Sequence, residues 1–311
     1  MREFFARMHG PNRAPYLFLS PFLLLFAIFG LFPLLFSFAM AFMRWDPIEG
    51  LGAMRFAGLS NFTFTLGDPW FWKSLGNTLW LSLAAGVPQH VVAIPLAYFI
   101  HRTLRRLRDG VVAAWFAPYI TSTVAISIMS MALFSTQYGL VNAGLAWLAS
   151  LPLIGQLFPA QQIDWLGSAG GVKPAIAIVV FWRFVGFNTV LYLAALQGIP
   201  TEIYEASELD GASPLQRFRY ITLPLLKPAM LFGFTLSVIG GLQLFEEPFI
   251  LTGGRGGPGH AAMTTAMYMY RTAFEFNDFG AASAISWLLF LVVGSLVWVT
   301  YRWLRPTAAA G

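Results

Sequence analysis

The amino-acid sequence predicts an all-α membrane protein with six transmembrane helices. Two observations carry that reading. The 311 residues are 57% hydrophobic and only 11% charged, whereas soluble domains carry about 25% charge. The apolar residues also fall into six runs, each close to the ~20 residues that cross a hydrocarbon core. The chain, 1–311, therefore reads as a single transmembrane domain. Its net charge of +5 has the sign that nucleic acid attracts. The basic residues, however, gather at the ends of apolar runs, where lipid headgroups meet them, so nucleic acid is set aside. The chain has no cysteine, which excludes disulfides, thiolate chemistry and cysteine-based metal sites.

The first run, 16–43, follows Arg2, Arg7 and Arg13. Ala39-Met40-Ala41 resembles a signal-peptidase site. The apolar run of about 25 residues nevertheless exceeds the 7–15 of a signal h-region, so it reads as a retained spanning helix. Pro21 and Pro33 are points where it can bend. Residues 44–72 read as a polar external loop. At its end, Gly67 and Lys73-Ser74 have the spacing of a phosphate loop, but Trp72 stands where the second glycine must allow close backbone approach, so nucleotide binding is not expected. The other spans are 74–100, 111–136, 173–196, 228–251 and 281–303. Between them lie the 101–110 loop with four arginines, the 138–171 segment with a short amphipathic stretch at 140–148, and a glycine-rich loop from 252 to 280. Of the 19 Lys and Arg, twelve lie in the amino-terminal tail, the 101–110 loop, the 203–228 stretch and the carboxyl end, and seven lie elsewhere. The positive-inside rule then puts both termini and 203–228 in the cytoplasm.

The stretch from about 201 to 226 is the most polar long segment in the chain. Residues 201–209 read as a short helix after Pro200, with Glu202, Glu205 and Glu208 along one side. Asp210-Gly211 breaks it, because glycine takes positive φ at no steric cost. Ser213-Pro214-Leu215-Gln216 restarts a helix with a capping box and a proline at the first position. Phe218, Ile221 and Leu225 give this second helix an apolar side.

In register, Glu205, Ala206, Gly211, Ile221, Leu223 and Pro224 match the pattern E-A-A-x3-G-x9-I-x-L-P, with Ser207 in place of the second alanine. The stretch thus resembles the "EAA" loop of ATP-binding-cassette importer permeases. FMRWDP at 42–47, GLVN at 139–142, FWRFVGFN at 181–188 and LTGG at 251–254 are similar to carbohydrate importer permeases of the MalF-like kind. The resemblance covers nearly the whole chain and implies a type I importer permease (MetI-like) architecture. It implies a heterodimer with a second six-helix permease, a pair of ATP-binding-cassette ATPases, and an extracytoplasmic sugar-binding protein. It further implies a multi-pass protein of the bacterial cytoplasmic (inner) membrane that takes up a sugar, with di- and oligosaccharides fitting the aromatic content. The ATPase-coupling residues would be Glu205, Ala206, Ser207, Asp210, Gly211, Ala212, Ile221, Leu223 and Pro224. ATP and Mg would sit on the ATPase, and no cofactor on this chain.

Charged residues inside spans are costly, at least ~2.5–3.5 kcal/mol near the centre, and so are candidates for the solute path. Arg183 lies about ten residues into the fourth run, near the midplane. Trp182 and Asn188 flank it. Glu246 and Glu247 close the fifth run, and Gln243 shares a helical face with Glu247 at i, i+4. Carboxylate, amide and guanidinium groups hydrogen-bond sugar hydroxyls, and an indole stacks on a sugar ring. Each has a plainer reading: Arg183 as a strut between helices through carbonyls or a glutamate, and the glutamates as headgroup-zone residues or contacts to the binding protein. His90 and His101 read as packing and surface groups. With no Ser-His-Asp constellation, no metal spacing and no phosphate loop, no catalytic residue is assigned and the chain does not read as an enzyme. The competing readings are a permease for a polyamine or a phosphate ester, and a channel or secondary transporter that needs no ATPase.

Overall fold

The computed structural model describes residues 14–103, 107–152, 154–159 and 161–305. Arg2, Arg7, Arg13, Arg105 and Arg106, used in the charge count, lie outside the described residues. The chain is all-α except for a two-residue antiparallel ladder, β1 (Met43–Arg44) with β2 (Arg55–Phe56). Its helices are α1 (Pro15–Met40), α2 (Ser60–Gly67), α3 (Pro69–Thr103), α4 (Arg108–Ile120), α5 (Thr123–Leu133), α6 (Leu140–Ala149), α7 (Ala169–Gln197) and α8 (Thr201–Leu209). After them come α9 (Pro214–Arg217), a π-helical turn (Phe218–Thr222), α10 (Leu223–Leu242), α11 (Glu246–Leu251), α12 (Thr265–Phe274) and α13 (Phe279–Leu304). Among the described residues, five stretches are long and apolar enough to cross a membrane: α1, α3, α7, the run from α9 through α11, and α13. The α4–α5 pair makes a sixth if it counts as one span.

By contacts, the chain divides into Met1–Gly67 with Met269–Trp287, and Asp68–Tyr268 with Leu288–Gly311. In the first unit, Asn61 ties the end of α1 to α2 by donating from Nδ2 to the Ala41 and Met43 carbonyls at 3.0 and 2.8 Å. Phe38 packs edge-on against Trp287 at 4.8 Å. The apolar stretch of α1 buries none of its residues within the chain, a surface suited to lipid or another subunit. It carries a π-helical turn at Ala27–Leu31 just before Pro33, whose missing N–H leaves the Phe29 carbonyl without its usual donor.

The second unit is organised around α7, which packs along α3 and also against α4 and α10. One buried cluster gathers Leu81, Ile126, Phe134, Val172, Ile176 and Leu251. The other gathers Ala97, Ile100, Val185, Tyr192, Leu196 and Leu226. Gly186 lets α4 come very close to α7, since a Cβ there would lie 1.7 Å from the Trp115 carbonyl oxygen.

Two spans read from hydropathy as unbroken helices are in fact interrupted. The 111–136 run bends by 95° between α4 and α5. Thr121 (ψ 146°) and Ser122 (ψ 130°) are extended, so the helical ladder stops there. The Thr121 hydroxyl takes up the Ala117 carbonyl at 2.8 Å. The 228–251 run breaks after Leu242. Gln243 (φ −97°, ψ 12°) and Phe245 (φ −132°, ψ −55°) leave helical geometry, and α11 starts afresh. Hydropathy counts apolar side chains and does not register a backbone break between them.

Candidate functional site

The polar stretch folds as its local chemistry dictates. α8 covers Thr201–Leu209. Gly211 sits at φ +78° and turns the chain, with nothing within 4 Å of where its Cβ would point. Ser213 caps α9: its Oγ accepts from Gln216 N at 3.3 Å, and Gln216 Oε1 accepts from Ser213 N at 2.7 Å. The second helix is not a separate short one. It continues through the π-turn into the fifth span, and the carbonyl of Arg217 is taken up by the Thr222 hydroxyl at 3.3 Å. Glu205, Ala206, Asp210, Gly211 and Pro224 are exposed, Ala212, Ile221 and Leu223 half-buried, and Ser207 buried with its hydroxyl on the Tyr204 carbonyl. The small side chain at 207 faces the protein, which is why serine fits there. The three glutamates do not form one free acidic ridge: Glu202 and Glu205 are exposed, but Glu208 is paired with Arg102 and Arg217.

The charges inside the spans are also paired. Arg183 Nη1 donates to Glu247 Oε1 at 2.5 Å, with side chains 15% and 4% exposed. Arg183 lies fourteen residues beyond the start of α7 at Ala169, deeper than read from sequence, because the helix begins four residues before 173. Glu247 lies in the first turn of α11, while Gln243 is the residue that caps the end of α10. The break between them removes the i, i+4 relation expected for these two, and Gln243 is exposed. Glu246 and Trp182 are exposed as well. Asn188 is buried and donates to Gln89 Oε1 at 3.2 Å.

A cavity of about 230 Å³ lies between α3, α4, α7 and α10. Its polar lining is Ser82, Gln89, Tyr119 and Ser237, and its rings are Tyr119, Phe184 and Phe187. Tyr119 stacks on Phe187 at 4.7 Å. Gln89 is held by Asn188 and by the Val180 carbonyl. Next to it His90 is fixed on both ring nitrogens, by Tyr192 at 2.7 Å and Ser237 at 2.9 Å, and stacks on Phe234. None of the six residues proposed from sequence for the solute path lines this cavity. The sequence did carry a signal for it: Ser82 and Gln89 are uncharged polar residues seven apart on one apolar helix, hence on one face. Neither carries a charge, so neither stands out as a costly residue within a span. Lys73-Ser74 lies inside α3, where Lys73 Nζ donates to the Gly259 carbonyl at 2.8 Å, so no phosphate loop forms there. Among the described residues no group of three or more His, Asp and Glu is placed to hold a metal.

The profile of the family described as "Binding-protein-dependent transport system inner membrane component" matches residues 71–309. The chain belongs to this family. Relatives of this permease family include the arabinooligosaccharides transport system permease protein AraP of Bacillus subtilis, 34% identical over 286 residues and covering 92% of this chain and 86% of that one. The lactose transport system permease protein LacF of Rhizobium radiobacter is 34% identical over 289 residues, with 92% of each chain covered. The trehalose/maltose transport system permease protein MalF of Thermococcus litoralis is 31% identical over 281 residues, with 89% of each covered. In fold, the chain is similar to one in a bacterial ABC transporter that imports the acidic polysaccharide alginate: TM-score 0.76, 21% identity, 98% of this chain and 99% of that chain covered. The protein is thus an all-α, multi-pass membrane permease.

Proposed function

We propose that this chain is the membrane-spanning subunit of an ATP-driven importer that carries a neutral di- or oligosaccharide into the cytoplasm. The observation that carries this reading is the lining of the inner cavity. It combines hydroxyls, an amide and aromatic rings, and none of its residues is charged. Sugar hydroxyls pair with hydroxyls and amides, and sugar C–H faces lie on rings. A polyamine or phosphate ester would need counter-charges, which the cavity lining lacks, and Arg183 and Glu247 are spent on each other. The substrates for which AraP, LacF and MalF are named are all sugars, which supports the same class.

In this reading the whole chain acts as one permease domain in a bacterial inner membrane, with both termini cytoplasmic. The 201–226 loop, carrying Glu205, Asp210 and Gly211 on its open side, seats a separate ATPase that holds ATP and Mg. A second permease subunit and an extracytoplasmic binding protein complete the importer, and this chain does no chemistry itself. The test is uptake by proteoliposomes containing the complete set of subunits. Neutral oligosaccharides, a uronic-acid oligosaccharide and a polyamine are offered, with ATP or with an ion gradient alone. ATP-dependent uptake of a neutral sugar, weakened by Gln89→Ala, is expected. Uptake of the polyamine only, or of sugar by this chain alone on an ion gradient, would overturn the proposal.

A further inference from the structure

We propose that Glu208 is a positioning residue that fixes α8 to the ends of two membrane helices through one carboxylate oxygen. This rests on the reading of 201–226 as the seat of the ATPase. α8 has only nine residues, too few to hold its shape and direction alone. It is flanked by a turn at Gly198–Pro200 and by the positive-φ turn at Gly211, so its direction has to be set by side chains.

The anchors lie on one side of it. Glu208 Oε1 accepts from Arg102 Nη2 at 2.7 Å and is also in contact with Arg217 Nη1. Arg102 stands in the last turn of α3, and Arg217 is the last residue of α9, which continues into the fifth span. Tyr204, one turn earlier on α8, is 2% exposed, with its hydroxyl against Thr222 Oγ1 in the π-turn at 3.1 Å. The guanidinium of Arg102 lies over the Tyr204 ring at 5.0 Å. Three elements therefore meet at one carboxylate. The opposite side of α8, with Glu202, Glu205, Ala206 and Leu209, stays open for a partner.

Arg217 is 11% exposed and Glu208 49%. The Glu208–Arg102 pair, 49% and 27% exposed, contributes little to folding, and Glu208→Gln keeps a hydrogen-bond acceptor beside the more buried Arg217, so this variant should leave the permease assembled while α8 loses its fixed direction. A rigid link between α8 and the spans is what any force passing between the ATPase and the membrane helices requires.

The chain lacks cysteine, so spin labels can be placed at Ala206→Cys on α8 and Phe99→Cys on α3 without background. In the complete importer in proteoliposomes, the distance distribution between them should be narrow. It should broaden in Glu208→Gln, shift in Glu208→Arg, and narrow again in Glu208→Arg with Arg102→Glu and Arg217→Glu, where both pairings are reversed. Unchanged distributions in both single variants, or no recovery with both pairings reversed, would overturn the role of Glu208. The seat itself is tested separately by the mobility of the Ala206→Cys label before and after the ATPase is stripped away. Equal mobility would sink the docking reading even if Glu208 proved to hold α8.

Discussion

Gly211 and the Arg183–Glu247 pair make opposite demands at the scale of single residues. Gly211 was legible from sequence because its requirement is local: Asp-Gly between two helical patterns asks for positive φ, and the structure has +78°. Space is open around it, so the obstacle to a side chain there is the backbone conformation. Gly211→Val should cost about 1 kcal/mol or more and abolish solute-stimulated ATP hydrolysis in the assembled importer. Gly211→Asn, which tolerates this region, should retain it. Equal hydrolysis in the valine and asparagine variants would show that the turn angle does not matter for coupling. The Arg183–Glu247 pair joins positions 64 apart, and nothing local announces it. Sequence marked both residues as costly and left open whether Arg183 braces helices through a glutamate. Removing one partner strands a buried charge, so Arg183→Ala should lower stability by about 3 kcal/mol or more. Arg183→Met with Glu247→Leu should recover much of that. Thermal unfolding in detergent measures both, and a double variant no more stable than the single one would argue against the pair as the source of the loss.

Helix identity was legible at the scale of elements, and helix continuity was not. Runs of apolar residues located most spans to within about five positions, but the fifth, read as 228–251, begins at Pro214. The capping box located the start of α9, because Ser213 and Gln216 act within one turn. The breaks at Thr121–Ser122 and Gln243–Phe245 depend on two or three backbone angles that tertiary packing selects, and apolar composition is blind to them. Loss of the expected i, i+4 relation of Gln243 and Glu247 follows from the second break. The cavity was missed for a related reason: it is built where α3, α4, α7 and α10 meet, and four distant segments contribute to it. Close helix approach is equally non-local. With no room at Gly186 for a Cβ, which would run into the Trp115 carbonyl oxygen, Gly186→Ala must push α4 away from α7. The expected loss is at least the ~1–3 kcal/mol of ordinary overpacking. It would appear as a lowered unfolding temperature and a displaced Tyr119, which stacks on Phe187 of α7. Wild-type stability in Gly186→Ala would mean that α4 and α7 are not held this closely.

For the whole molecule, the open question is which way it faces. Helices, breaks and cavity look the same from either side of a bilayer, and only the charge distribution separates the two orientations. Of the twelve Lys and Arg set against seven, the end of α3 and the start of α4 carry Arg102 and Arg108, and the stretch from α9 into α10 carries Arg217, Arg219 and Lys227. Arg102 and Arg217 converge on Glu208, so these two basic segments lie on one side together. That makes the orientation of one the orientation of both. By the positive-inside rule, we propose that this cluster lies on the cytoplasmic side. The absence of cysteine gives a clean way to check. Leu215, 74% exposed on α9, and Phe56, 76% exposed on β2, serve as reporters for the two sides. Ser213 is avoided because its hydroxyl caps α9. In intact spheroplasts, an impermeant maleimide should label Phe56→Cys readily and leave Leu215→Cys unlabelled. After the membrane is opened and the ATPase is stripped away, Leu215→Cys should react as well. Labelling of Leu215→Cys before opening would invert the chain and put the 201–226 loop where no cytoplasmic ATPase could reach it.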